Sequence, residues 1–569
     1  MLLLGVKATH DGGVAVIDGD RLLFSLEMEK IGNGSRYSEL GDLDLVRGLL
    51  ADEEIDLADI DRVAVDGWGY GDLPTAWKGE RLSLPVAPYR EARLGDDSLT
   101  PHTFGGLRLG GDTAFDYQSF HHTTGHIMSA YCASPFAGAG QESFVVVWDG
   151  GVLPRAYYIR PQQPYIENLG PVFGLLGNVY AVFAMHMEPF TMDDPFMIEA
   201  PGGPAERSAY NARRLAVPGK VMAYTALGQA RPDLAGIMDR IYAGRPNDVM
   251  DRPRPFVKEF VTRILDESAA LKPTSADMLA TLQQWIGERL VESLRRLREQ
   301  HPGRAGNLCF AGGCALNIKW NSAIRRSGVF EHVFVPPFPN DSGSAIGAAC
   351  AAMVTATGRT ALEWSSYAGP SLRRSNEGEG YISRRCTIPE LADLLYRFDE
   401  PIVVLHGRAE LGPRALGNRS ILAPATDAAM KGILNTIKRR EDYRPVSPIC
   451  LEQRAPEIFD PGTPDPYMLF DHQTRPDWLG RIPAVVHLDG SARLQTVNAR
   501  QNPVISELLT AYEKLSGVPV LCNTSANYDG RGFFPDVESA LEWGRTRYVW
   551  SEGTLWQRGE PSIEDPDTE

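Results

Sequence analysis

One layout occurs twice in this chain, and it limits the fold more than any other feature. Leu4…Asp11-Gly12-Gly13-Val14 and Val145-Val146-Val147-Trp148-Asp149-Gly150-Gly151-Val152 each run from a short apolar stretch into Asp-Gly-Gly-Val. Apolar runs of this length, bounded by turn residues, read as buried strands. In the first copy the pattern predicts strands at 2–6, 14–17 and 22–26, with Asp18-Gly19 as a hairpin turn. In the second it predicts a strand at 144–148 and a returning strand at 156–159. Two such units imply a duplicated α/β domain with a ligand cleft between the copies. A plain hairpin meander is the other reading of the first unit.

The second copy is preceded by His122 and His126 in a segment of helical spacing. A spacing of four puts both imidazoles on one helix face. With Asp149 at the end of the next strand, they suit a metal or phosphate site. The plainer reading is of interfacial histidines beside an Asp-opened turn. Further on, Asn307-Leu308-Cys309-Phe310-Ala311 leads through Gly312-Gly313 to Asn317 and a helix. Such a turn lets a nucleotide approach the backbone closely. Asp341 opens a second strand-to-helix turn, either as a helix N-cap or as a fourth ligand of the histidine site. A duplicated unit around a nucleotide cleft is the logic of actin, the sugar kinases and the heat-shock chaperone ATPases.

The 569 residues are enough for two to four domains, and 43% hydrophobic with 23% charged content is that of an ordinary soluble chain. A net charge of −16 argues against non-specific nucleic-acid binding. The N-terminal Leu2-Leu3-Leu4 run is too short for a signal segment, and no stretch reaches transmembrane length. Seven scattered cysteines without a C-x-x-C pair predict neither a disulfide framework nor a thiolate zinc site, so a cytoplasmic location is expected. Residues 42–57 read as helical and 63–65 as a strand. Residues 68–119 read as a substrate-shaping insertion, and 171–300 as mostly helical. In 276–300, Leu279, Leu282, Ile286, Leu290, Leu294 and Leu297 form a core-facing stripe.

Residues 1–357 are taken as the first domain, 358–389 as a polar linker and 390–569 as a second domain. The second domain carries arginines 408, 414, 419, 440 and 444 among Gly, Pro and Asn residues. In an acidic chain these suggest a focused anion pocket. A solvated basic face is the alternative.

Taken in order, these segments resemble the ATP-dependent O-carbamoyltransferases of secondary metabolism, which include the tobramycin, cephalosporin and nodulation-factor carbamoyltransferases. The resemblance covers nearly the whole chain. It rests on His10-Asp11, Glu29-Lys30, His122-x-x-x-His126, Asp149-Gly150-Gly151 and Gly219-Lys220-Val221-Met222. It continues through Ala311-Gly312-Gly313-x-Ala315-Leu316-Asn317 and Asp341-x-Gly343-x-Ala345. In the second domain it rests on Gly412-Pro413-Arg414-Ala415-Leu416-Gly417-Asn418-Arg419-Ser420, Lys438-x-Arg440-Glu441, Arg444-Pro445, Asp489-Gly490-x-Ala492-Arg493 and Asn523-Thr524-Ser525.

The resemblance implies an α/β fold: a duplicated, actin-type, TsaD-like N-terminal domain followed by an α+β YrdC-like C-terminal domain. It implies that ATP, accompanied by Mg2+, and carbamoyl phosphate form carbamoyl-adenylate in the second domain. The carbamoyl group then passes to a hydroxyl of a small natural product in the first. By the resemblance, His122, His126, Asp149 and Asp341 hold iron(II) or another divalent metal. His10, Arg414 and Lys438 are expected in the chemistry, with His10 as the base. Gly150, Gly151, Lys220, Gly312, Gly313, Asn317, Arg408, Arg419, Arg440, Arg444, Asn523, Ser525 and Arg531 are expected to bind the nucleotide and carbamoyl phosphate.

The chain departs from the family at two places. At 31–37, Arg36 stands where the family has a lysine that reaches the other domain. At 526–532, Gly530-Arg531-Gly532 replaces the usual Gly-Glu-Pro. A relative acting on an amine or thiol, and a catalytically silent binding protein, are the competing functions. Residues 68–119 and 155–215 are expected to shape the acceptor pocket, with Trp68, Trp77, Asp193 and Asp194 as wall candidates. A homodimer and no nucleic-acid or membrane partner are expected.

Overall fold

The N-terminal strand Leu2–Lys7 is the centre of a six-stranded sheet. It pairs antiparallel with Gly13–Asp18, which pairs with Arg21–Glu27, and parallel on its other side with Arg62–Asp66. Ala114–Phe120 and His102–Arg108 complete the sheet. A second sheet repeats the order. Ser143–Val147 pairs antiparallel with Arg155–Arg160, then Tyr165–Pro171, and parallel with Asn307–Ala311, then His332–Phe334. The Asp-Gly-Gly-Val repeat therefore marks the same turn in two sheets of like topology. The strands are buried on both faces, which explains their continuous apolar runs.

The structure is a computed structural model that describes residues 1–559 apart from 33, 112, 163, 197–203 and 375–379. Parts of the expected stretches fall outside the described residues: 375–379 of the linker, 112, 163 and 197–203 of the acceptor-pocket regions and 560–569 of the second domain, as does Asn33 of the 31–37 segment.

Two helices, His122–Cys132 and Ser344–Thr357, pack together between the sheets. They cross unusually closely. A Cβ on Gly347 would lie 1.8 Å from the Gly125 carbonyl oxygen, so the second helix can carry no side chain at the crossing, while a Cβ on Gly125 would lie 2.9 Å from Asp66 Oδ1. This contact brings the histidines of the first helix to the start of the second, where Asp341 lies in the 3-10 turn Asp341–Gly343. Leu279, Leu282, Ile286, Leu290, Leu294 and Leu297 of the helix Ser275–Gln300 are all in the core, as their spacing predicts.

Two segments differ from their sequence reading. Residues 68–119 are not simply an insertion. They hold a separate hairpin, Asp72–Trp77 with Glu80–Pro85, but also two strands of the first sheet. The expected linker is bound into both halves of the molecule. Leu22 and Ser25 donate to the carbonyls of Glu363 and Ala368 (2.8 Å each), and Gly369 donates to the Ala409 carbonyl (2.9 Å). Tyr381–Arg385 then forms the edge strand of the C-terminal sheet. The free main-chain edge of Arg21–Glu27 offered partners that polar composition does not reveal.

That C-terminal sheet has eight strands, ordered Tyr381–Arg385, Thr554–Arg558, Tyr548–Ser551, Ile402–Leu405, Arg419–Pro424, Val520–Ser525, Ser447–Leu451 and Gln495–Val497. Its residues alternate between two cores: Ile402 and Val404 face one, Val403 and Leu405 the other. The helices Ile388–Phe398 and Pro503–Ser516 pack together over the first of these faces.

The halves are joined by a buried strut. Lys30 Nζ donates to Glu27 Oε1 (2.7 Å) and to the carbonyls of Glu410 (2.6 Å) and Gly412 (2.7 Å). The Gly412 amide returns a bond to Glu27 Oε1 at 2.8 Å. Glu410 Oε1 in turn accepts the amides of Leu416, Asn418 and Arg419. The loop bearing Arg414 is thus held at both ends.

Candidate functional site

Strand ends converge on the two histidines. His122 Nε2 and His126 Nε2 face each other at 3.1 Å, and Asp341 Oδ1 lies 3.4 and 3.5 Å from them. Asp149, just beyond the strand Ser143–Val147, completes a quartet whose nearest ligand atoms all lie within 4.8 Å of one another. Asp149 is oriented from both sides: Oδ1 accepts the Gly313 amide and Oδ2 the Tyr89 hydroxyl, each at 2.7 Å. His122 Nδ1 contacts Asp66 Oδ2 at 2.7 Å. With the proton on that nitrogen, the Nε2 lone pair is left facing the quartet. Two imidazoles and two carboxylates fit a divalent transition metal. The buried Nε2 atoms, aimed at one point, are the observation that supports the fit.

Charge around the quartet is dense and paired. Lys7 is buried and reaches Asp66 Oδ2 at 3.0 Å and Asp341 Oδ2 at 2.9 Å. Burial opposes the Asp341 charge, but Lys7, His122 and His10 together hold its carboxyl well below the usual carboxylate range. Burial likewise opposes the His122 charge; Asp66 and Asp341 outweigh it and raise its pKa to about 9. His10 sits at the mouth, with Nδ1 3.0 Å from Asp11 Oδ2 and Nε2 3.5 Å from Asp341 Oδ2. Its pKa is also raised, with burial opposing and Asp341 and Asp11 prevailing. Trp68 and Tyr89 pack against the His122 ring.

A cavity of about 1730 Å³ opens from this pocket toward the C-terminal half. His10, Gly150, Gly151, Lys220, Gly313 and Asn317 line it on one side. Arg414, Lys438, Arg440, Arg444, Asn523 and Ser525 line it on the other. Arg36 and Arg493 join them; Arg36 had been singled out only as a replacement for a lysine, and Arg493 only as part of a motif. Burial, then the neighbouring guanidiniums, lower the pKa of Arg414 to about 10 and of Arg440 to about 9, and that of Arg493 far below its usual value. The Nε atoms of Arg414 and Arg440 are buried without a hydrogen-bond partner. Lys438 Nζ donates to the carbonyls of Ser525 (2.7 Å) and Asn527 (2.9 Å) and to Asn527 Oδ1. Such a cluster is built for anions.

Four expected binding residues lie outside the cavity lining. Arg408 pairs with Glu53 (2.7 Å) and Ser371 (3.0 Å). Arg419 caps its own loop through the carbonyls of His406, Asn418 and Gly407. Gly312, at φ 88°, lets the turn abut the Trp148 carbonyl, which a Cβ would approach to 2.4 Å. Arg531 lies over the Tyr528 ring. Lys220 lines the cavity but is ion-paired with Glu441 at 2.9 Å. Of the wall candidates only Trp68 lines the cavity; Trp77, Asp193 and Asp194 do not. The sequence reading passed over Lys7, Asp66 and Tyr89. Lys7 and Asp66 are the last residues of adjacent strands, the one signal that could have found them.

Comparison with known proteins fits this arrangement. The family described as Carbamoyltransferase N-terminus matches residues 2–78 and 103–350, and that described as Carbamoyltransferase C-terminus matches 392–549. A Nodulation protein U of Bradyrhizobium diazoefficiens is 45% identical over 98% of this chain and 97% of its own. A Nodulation protein U of Sinorhizobium fredii is 44% identical over 98% and 99%. A 3'-hydroxymethylcephem-O-carbamoyltransferase of Streptomyces clavuligerus is 33% identical over 98% and 99%. The chain belongs to the carbamoyltransferase family.

Proposed function

We propose that this carbamoyltransferase is an ATP-dependent O-carbamoyltransferase of secondary metabolism that works in two steps at the two ends of one cavity. The observation that carries the reading is that this cavity joins an arginine-rich cluster, in which Glu441 lies 3.8 Å from Arg444, to a histidine–aspartate quartet. We read the C-terminal half as YrdC-like. There water cleaves carbamoyl phosphate to phosphate and carbamate, and the carbamate oxygen attacks the α-phosphorus of ATP, accompanied by Mg2+, to give carbamoyl-adenylate and release pyrophosphate. Arg414, Lys438, Arg440 and Arg444 neutralise the two anionic substrates as they meet. Adenylation supplies a better leaving group than phosphate for attack by an alcohol.

We read the N-terminal half as TsaD-like and as the place of transfer. His122, His126, Asp149 and Asp341 would hold a divalent metal, iron(II) by family resemblance, which would supply Lewis acidity toward the phosphate of the departing AMP. His10 takes the proton of the acceptor hydroxyl as its oxygen attacks the carbamoyl carbon. The imidazolium so formed is stabilised by Asp11 and Asp341, the two carboxylates it already contacts. The hydroxyl acceptor accords with the relative named for O-carbamoylation of a hydroxymethyl group. The acceptor itself is a small hydroxylated metabolite.

Incubation with ATP and carbamoyl phosphate tests the first step through pyrophosphate release. His10→Asn tests the second. It should retain pyrophosphate release and lose transfer; full transfer by this variant excludes His10 as the base.

A further inference from the structure

One irregular segment touches the histidine–aspartate quartet and faces the cavity as well. Residues 86–101 join the strand Glu80–Pro85 to the strand His102–Arg108 and form neither helix nor strand. The start of the segment is tied down by main-chain groups. The Trp68 amide donates to the Ala87 carbonyl (2.9 Å) and the Tyr89 amide to the Gly69 carbonyl (3.0 Å). The Ala87 amide donates to Ser119 Oγ at 2.8 Å. The Thr123 amide donates to the Tyr89 carbonyl at 3.1 Å. Thr123 lies in the first turn of the helix His122–Cys132, where amides have no partner within the helix. Tyr89 thus caps, from outside, the helix that carries both histidines.

The Tyr89 side chain goes on to the quartet itself. Its ring packs on His122 with centroids 4.4 Å apart, and its hydroxyl donates to Asp149 Oδ2 at 2.7 Å. The Gly313 amide takes Asp149 Oδ1 at the same distance. An ionised carboxylate has two lone-pair sites on each oxygen. One donor on each oxygen fixes its plane and leaves a site on each for a metal. Packing on His122 needs only the ring, so the hydroxyl acts on Asp149.

The residues that follow, Arg90, Glu91 and Ala92, line the cavity. The Glu91 carboxylate is buried and accepts Ser98 Oγ and, at 3.2 Å, the Tyr157 hydroxyl. The segment lies between residues 78 and 103, outside the stretches matched to the N-terminal family, whereas all four residues of the quartet lie within them. Ordering an irregular segment costs conformational entropy. Two events that fix the same group favour each other by the same factor.

We infer that Tyr89 is a positioning residue that couples metal binding at the quartet to the order of residues 87–92, so that the metal-loaded protein presents Arg90 and Glu91 to the acceptor in a fixed arrangement. This rests on the transfer reading of the quartet and deepens it, because it ties acceptor recognition to a residue outside the shared framework.

Co2+ serves as the spectroscopic probe. It is titrated into the full chain against a chelator, and hydrogen exchange of residues 87–92 is followed by mass spectrometry with and without the ion. Tyr89→Phe keeps the ring and removes the hydroxyl. In the wild type, Co2+ should slow exchange across 87–92 about tenfold and leave the hairpin of Asp72–Trp77 and Glu80–Pro85 unchanged. In Tyr89→Phe, Co2+ affinity should fall about tenfold, the visible bands of the bound ion should shift, and the slowing should be lost. Wild-type affinity in the variant overturns the inference. So does a lost affinity with the slowing intact, because Tyr89 then acts on Asp149 alone. If Tyr89→Phe does not fold, the wild type decides: slowing at 87–92 without the hairpin supports the coupling, and no slowing, or slowing of both, overturns it. A wild-type chain that binds no Co2+ overturns the reading of the quartet as well. Wild-type binding with an unresponsive segment overturns only the coupling through Tyr89.

Discussion

Replacing Lys30 by methionine tests the strut that joins the halves. Lys30 is 1% exposed and Glu27 4%. Methionine fills nearly the same volume but removes all three donated bonds. It strands the Glu410 and Gly412 carbonyls and leaves Glu27 with only the Gly412 amide. Removing one partner of a buried ion pair costs about 3–5 kcal/mol, because the remaining charge is uncompensated. Glu27 relieves part of this by taking up a proton. Burial already raises its pKa to about 7 with Lys30 and the Gly412 amide opposing, and removing Lys30 raises it further. The loss in Lys30→Met should therefore be larger at pH 8 than at pH 6. In Lys30→Met/Glu27→Gln the stranded charge is absent, and roughly half of the loss should return. Denaturant unfolding of the three proteins at both pH values measures these differences. Because the strut holds the Arg414 loop, pyrophosphate release should fall in parallel with stability. A single variant within 1 kcal/mol of wild type, or a double variant no better than the single, refutes the argument.

Three further outcomes are expected. Asp66→Asn should weaken metal binding about 10–100-fold, measured by competition with a chelator, because His122 loses the carboxylate that orients it. In metal-free protein the charge on His122 contributes stability fully below its unfolded pKa of 6.5, and this is lost as pH rises through about 9. The shift corresponds to at most about 3 kcal/mol; bound metal should abolish the decline, and a flat metal-free unfolding profile over that range contradicts the pairing. Inorganic pyrophosphate should raise the melting temperature, by the equivalent of about 2.7 kcal/mol at a hundredfold excess over its dissociation constant, and Arg440→Ala should remove most of that gain.

The parts of the site set by local spacing were legible in the sequence. His122 and His126 are one helical turn apart, and Asp149 ends a strand whose apolar run is unmistakable. Asp341 could be joined to them only as an alternative to a helix cap, because its position depends on how two helices cross. Lys7 and Asp66 were illegible for a related reason. Each is the last residue of its strand, and only the parallel pairing of those strands makes them neighbours. Arginine content misled in one direction. It marked a real cluster, but Arg408 and Arg419 are consumed by Glu53 and by loop carbonyls, which no one-dimensional pattern distinguishes from a phosphate contact. The polar stretch after residue 357 read as a linker because its bonds are main-chain bonds to distant strands, which composition does not encode.

The glycine crossing bears on how the cavity can open. Packed helices slide past one another by small adjustments of interlocked side chains. At Gly125 and Gly347 backbone meets backbone, so no side chain is available to adjust. Relative movement of the two sheets has to pivot about that point instead of shearing through it. The histidines and Asp341 sit at the pivot, where a given rotation produces the smallest displacement, while the cavity rim far from it swings widest. An acceptor can thus be admitted at the rim with the quartet almost stationary.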